Sequence, residues 1–234
     1  MKKIIPIVIA VVIVISLILF FVLTRDKKTT TNPNAKNTQV SKEIALTADE
    51  LPTISLIPRA DGHELKFKVA NISPKFSTAE YELIYTAKDG ELEIDKGVGG
   101  TIELDSNNFE KDLLLGTSSC TNGCKYKYDE GIVGGNLTLT LTTDNNEYYT
   151  FETPFVLKTS AEINKEKGLS LIEENFSIKG IVTSKSDFFI AIKNAKPVYS
   201  VFSSGNGNGK ITSIEPTTIT KTSLTSFVGD YLIP

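Results

Sequence analysis

The chain has 234 residues, 40% of them hydrophobic, with 25 Lys and Arg against 28 Asp and Glu. That length allows one large β domain, or one with a smaller companion. Residues 44–234 carry 18 basic and 26 acidic side chains, a net of about −8, so the body of the chain offers no electrostatic footprint for nucleic acid.

The first element runs from Ile4 to Leu23, twenty residues without a charge; all but Pro6, Ala10 and Ser16 are Ile, Val, Leu or Phe. As a helix it would span roughly 30 Å, the thickness of a bilayer's hydrocarbon core. Its insertion is favourable by about 5–10 kcal/mol. The run exceeds the ~7–15 residues of a cleaved signal's core, and Leu23-Thr24-Arg25-Asp26-Lys27 contains no small-x-small cleavage site. Residues 1–23 are therefore expected to be an uncleaved signal anchor, with the lipid bilayer as partner through residues 4–23. Positive charge flanks both ends of the run, so charge decides little about its direction. The cysteine pair described below places the body on the extracytoplasmic side.

Residues 24–50 are polar as far as Lys42 and read as a flexible tether reaching roughly 25–30 Å. From Pro52 the period becomes two. Ile54 and Leu56 form one strand, and Arg59-Ala60-Asp61-Gly62 supplies a turn. Leu65, Phe67 and Val69 alternate with Lys66 and Lys68, and Tyr81, Leu83 and Tyr85 repeat the pattern. Gly97-Val98-Gly99-Gly100 reads as a bend before Ile102 and Leu104, and Leu113 and Leu115 make a short piece. Leu137, Leu139 and Leu141 interleave with Thr138, Thr140 and Thr142, the cleanest strand in the chain. Tyr148 to Leu157 follows, where Pro154 argues for an edge or a bulge. Seven or eight such strands bury one face each most simply as an antiparallel sandwich.

The hairpin from Pro52-Thr-Ile-Ser-Leu56 through Leu65-Lys-Phe-Lys-Val69, with Tyr81-Glu-Leu-Ile-Tyr85, resembles fibronectin type III and related immunoglobulin-like modules. The resemblance covers about a hundred residues, lies in strand pattern, and implies a fold class without assigning any functional residue. The chain departs from those families in having no Trp and no widely spaced Cys pair.

Beyond the sandwich, Thr159-Ser-Ala-Glu162 is a capping box for a short helical turn ended by Gly168. Strand patterns then resume at Phe176, Phe188, Val198, Lys210 and Thr217. Residues 159–234 are expected to be a small β module, with added strands of the sandwich as the other possibility. The expected fold is thus mainly β: a transmembrane helix, an immunoglobulin-like sandwich over 51–158, and the small C-terminal module.

Chemistry-bearing features are few. Cys120-Thr-Asn-Gly-Cys124 holds both cysteines of the chain. A disulfide there closes a five-residue loop worth about 2 kcal/mol, and its spacing suits neither a redox pair nor a four-ligand zinc site. His63, the single histidine, follows a predicted turn and reads as an exposed turn residue. With no nucleophile elbow, no Ser-His-Asp or Cys-His arrangement is supported. Asp49-Glu50, Asp129-Glu130 and Glu173-Glu174 read as solvated carboxylates, Asp105 and Asp144 as turn residues, and Gly205 to Gly209 as a hairpin loop without phosphate-loop spacing. Asn71, Asn136 and Asn175 begin sequons that matter only in a glycosylating host. Tyr126, Tyr128, Tyr148 and Tyr149, with Lys125 and Lys127 beside the first two, form the candidate ligand-contact patch for a peptide or a sugar, with strand packing as the other explanation.

No catalytic, cofactor or metal residue is expected. The expected role is non-catalytic binding or scaffolding of a protein or glycan partner at the cell envelope. An accessory subunit of a pilus or secretion machine and a carboxylate-dependent cell-wall enzyme are the alternatives.

Overall fold

The computed structural model describes residues 41–121 and 123–234. The expected membrane helix over 4–23 and the tether as far as residue 40 lie outside the described residues. Among the described residues no helix is long and apolar enough to cross a membrane.

The described chain is mainly β. Its strands are β1 (Lys42–Glu43), β2 (Thr53–Pro58), β3 (Glu64–Ala70), β4 (Phe76–Asp89), β5 (Leu92–Glu103), β6 (Phe109–Leu114), β7 (Gly116–Ser119) and β8 (Lys125–Tyr128). β9 (Gly134–Thr143) and β10 (Glu147–Thr159) follow, then the helix α1 (Ser160–Glu166). The chain ends with β11 (Gly168–Leu171), β12 (Phe176–Val182), β13 (Phe188–Lys193), β14 (Val198–Ser203), β15 (Gly209–Glu215) and β16 (Gly229–Leu232).

One large sheet runs in the order β16-β14-β13-β10-β9-β4-β5, with β1 added in parallel to β10; β2-β3-β6 and β11-β12-β15 form two three-stranded antiparallel sheets. The period-two pattern explains the packing. Ile54, Leu56, Leu65, Phe67 and Val69 turn one face of β2 and β3 onto Leu83, Tyr85, Leu137, Leu139 and Leu141 of the large sheet, all nearly inaccessible to water. Each such side chain contributes about 1.5–3 kcal/mol by burial.

β13 is apolar on both faces. Ile190 and Ile192 enter the first cluster, while Phe189 and Ala191 enter a second one with Ile163, Phe176, Ile178, Val201 and Tyr231. Successive side chains of a strand point to opposite faces, so the large sheet carries β2-β3-β6 on one face and β11-β12-β15 with α1 on the other. The β10–β13 pairing, from Phe155↔Ile192 to Thr159↔Phe188, carries this sheet across residue 158.

Asn194 links the layers. Its Oδ1 accepts from the Ile54 amide at 3.1 Å and its Nδ2 donates to the Ile54 carbonyl at 2.8 Å. Nδ2 also donates to Ser200 Oγ, which in turn donates to Asp230 Oδ1 at 2.7 Å. The carboxamide thus satisfies both main-chain groups of a residue on β2, as a neighbouring strand would.

Local signals explain several boundaries. The Thr159–Glu162 capping box is formed, with Lys167 in the left-handed conformation closing α1 one residue before Gly168. Pro154 stands where the β10–β13 ladder stops, and Thr153 Oγ1 accepts from the Lys193 amide there in place of main chain. Two segments differ from their sequence reading. Gly97 to Gly100 is the interior of β5, paired with β4 without a register break, because Tyr81 fills the space beside Gly99 and Gly100. The end of the expected tether is docked: β1 pairs with Glu147 and Tyr148, and Ile44 and Leu46 pack against the first cluster.

Candidate functional site

The turn between β2 and β3 begins the site. Arg59 donates from Nε and Nη2 to Asp61 at 2.8 and 2.6 Å and pairs with Glu64 through Nη1. Arg59 holds the Asp61 carboxyl down at about 2. Gly62 adopts φ +73°, and a Cβ there would stand 2.5 Å from the Phe188 ring, so only glycine makes this turn against β13. The turn presents His63, whose carbonyl accepts from the Leu115 amide at 2.9 Å; the Leu115 carbonyl accepts from the Asp129 amide at 3.0 Å.

Those two bonds bring three distant stretches of chain together and set the His63 ring against Tyr128. The rings lie 3.9 Å apart and within 8° of parallel. Tyr126, two residues earlier on the same face of β8, stacks at 6.0 Å and 5°. On β7 the residues opposite these tyrosines are Gly116 and Ser118, small enough to leave the rings uncovered. The result is a stack of three nearly parallel rings in which Tyr126 is 52% and Tyr128 36% exposed. Burial does not explain such exposed stacking, because large apolar rings gain most by entering a core.

The hairpin carrying the ladder is fixed at both ends. At its tip Cys120 and Cys124 form a disulfide with Cα atoms 4.1 Å apart. At its base the Asp129 side chain, 7% exposed, accepts from the Tyr85 hydroxyl at 2.8 Å and from Lys96 Nζ at 3.0 Å. Burial, with the Asp129 carboxylate alongside, pushes the Tyr85 hydroxyl well above the ordinary phenol range. Beside Tyr128 lies a polar cleft of about 220 Å³, lined by Lys88, Lys96, Lys127, Asp129 and Glu130. It is smaller than the ~300–1,000 Å³ of a site that swallows a small molecule, and suits one end of a larger ligand.

The expected four-tyrosine patch is split. Tyr126 and Tyr128 are joined by His63, whereas Tyr148 and Tyr149 pair with Thr142 and Leu141 at the other end of the sheet. Ala79, beside Leu141, is six residues along β4 from Tyr85, about 20 Å at strand spacing. Tyr149 packs against the first core cluster, and burial raises its hydroxyl. The acidic pairs do not converge. Glu50 bonds Thr47 and Lys75, Asp129 bonds Tyr85 and Lys96, and Glu174 bonds Lys193. Among the described residues no group of three His, Cys, Asp or Glu side chains could hold a metal ion.

His63, Tyr85 and Lys96 belong to the site without any signal in the local sequence, because each reaches it through pairings between distant strands. Chemically the arrangement offers flat aromatic edges with hydroxyls, flanked by ammonium and carboxylate groups, which suits sugar rings or extended peptide. No protein-family model matches the chain, and neither does any curated protein or solved structure.

Proposed function

We propose that the chain is a single-pass, N-terminally anchored protein of the cell envelope. Its body, an immunoglobulin-like β-sandwich whose large sheet is extended by the C-terminal strands, stands on the extracytoplasmic side and binds a glycan or a protein without catalysis. The apolar run over 4–23 supports the anchor. The Cys120–Cys124 disulfide supports an oxidising compartment.

The observation that carries the binding role is the exposed His63–Tyr128–Tyr126 ladder on a hairpin held at tip and base. A rigid aromatic surface loses little conformational freedom on binding, so its contact area converts efficiently into affinity. The test is a screen of the full-length protein on arrays of envelope glycans and peptides, beside Tyr126→Ala/Tyr128→Ala. The expected result is retention that drops about tenfold or more in the variant while its circular dichroism is unchanged. Equal retention by both proteins, or none by the wild type, contradicts the reading.

A second reading, an accessory subunit of a pilus or secretion machine, is favoured by one feature: among the described residues no strand pairs with the outer edge of β5.

A further inference from the structure

β5 is twelve residues long and, among the described residues, pairs with β4 alone. The Leu104 amide donates to the Ser77 carbonyl at 2.8 Å, which fixes which main-chain groups face β4. Alternation along an antiparallel ladder then turns the N–H and C=O groups of Glu93, Asp95, Gly97, Gly99, Thr101 and Glu103 outward. Proteins usually blunt such an edge with a proline, a bulge or a lysine. β5 has no proline and no register break, and its one lysine, Lys96, is drawn inward onto Asp129.

On its outer face the centre of the strand carries only Gly97 and Gly99. A Cβ on Gly99 would stand 2.6 Å from the Tyr81 carbonyl oxygen, so that glycine has an internal reason. Gly97 has none, since its Cβ would meet only the Leu83 carbonyl oxygen at 3.7 Å. A glycine inside a strand often marks the close approach of another backbone.

Charge selects what approaches. Glu80 and Glu82 of β4 share the outer face with Glu93, Asp95 and Glu103 of β5; all five are exposed, and none has an ion pair among the described residues. Lys88 stands opposite Glu93. A second copy is disfavoured, because antiparallel pairing of two β5 edges over their length sets Glu93 of one copy against Glu103 of the other.

We propose that the outer edge of β5 is a docking edge for an extended segment of a partner protein bearing Lys or Arg at alternate positions. The segment is added to the large sheet as a further strand. Main-chain hydrogen bonds along the edge supply affinity, and the carboxylates select the basic segment. The inference rests on the edge alone and stands apart from the aromatic ladder.

The test uses the full-length protein and two synthetic peptides, one alternating lysine with valine and one alternating glutamate with valine. The lysine peptide is expected to bind and to slow hydrogen exchange at Gly97, Gly99 and Thr101, while the glutamate peptide does neither. Gly97→Pro removes one outward N–H and leaves the pairing with β4 intact; it is expected to weaken binding about tenfold or more. Glu93→Lys/Glu103→Lys, which changes only exposed side chains, leaves three carboxylates against three lysines on that face and is expected to remove the wild type's preference between the peptides. Equal binding of both peptides by the wild type, or binding without protection at β5, overturns the proposal. So do edge amides already protected in the protein alone, because a second copy or another part of the chain then holds the edge.

Discussion

His63 and Tyr128 show how a single contact can be decisive and yet invisible in the local sequence. The Tyr126–Tyr128 pair is readable, because alternation in a strand puts both rings on one face. The histidine joins them only through the Leu115 and Asp129 main-chain bonds. Stacked aromatic pairs are worth about 0.5–1.5 kcal/mol beyond burial. His63→Ala is therefore expected to move the unfolding midpoint little but to weaken ligand retention on the arrays, since Tyr128 loses the ring that orients it. Four other tyrosines give the fold a signature in base. Burial raises the hydroxyls of Tyr85, Tyr149, Tyr199 and Tyr231, with Asp129 adding to the effect at Tyr85. Above the ordinary phenol value of about 10 the unfolded chain gives up protons that the folded chain keeps, so stability falls as pH rises. Denaturant titrations between about pH 9 and pH 11.5 should show this, at up to about 1.4 kcal/mol per pH unit for each retained proton. Tyr85→Phe should flatten the slope by about one proton, and a flat profile in the wild type would contradict these phenol environments.

At the scale of elements, the alternating strands were legible because period two needs only local residues. Ile54, Leu56, Leu65, Phe67, Val69 and the Leu–Thr repeat of β9 all turn the expected face inward. The capping box before α1 was legible for the same reason. Gly97 to Gly100 was not, since glycines inside a strand carry the composition of a bend until Tyr81 is seen beside them. Asn194 was equally silent, because its partner Ile54 lies on another sheet. Its removal has a definite consequence. Asn194→Ala leaves the Ile54 amide and carbonyl without partners in a buried place, and chemical denaturation should show a loss of about 2–4 kcal/mol. A loss under about 0.5 kcal/mol would mean that water takes over both groups. The disulfide acts over a shorter range. Cys120→Ser/Cys124→Ser should lose about 2 kcal/mol at most, with faster hydrogen exchange concentrated in β7 and β8. Faster exchange throughout both core clusters would show that the bridge does more than pin its hairpin.

For the whole molecule, the claim on which the proposed function depends is the side of the membrane that carries the body. The strands and the disulfide belong to one compact unit over residues 40–234, and the ladder is useful only where a ligand can reach it. The direct measurement is protease accessibility of the body in intact cells, combined with thiol labelling of Cys120 and Cys124 before and after reduction. Protease added outside is expected to remove the body, and the cysteines are expected to label only after reduction. A body protected until lysis, with both thiols labelling freely, would contradict that claim and move the ladder and the β5 edge to the cytoplasmic side.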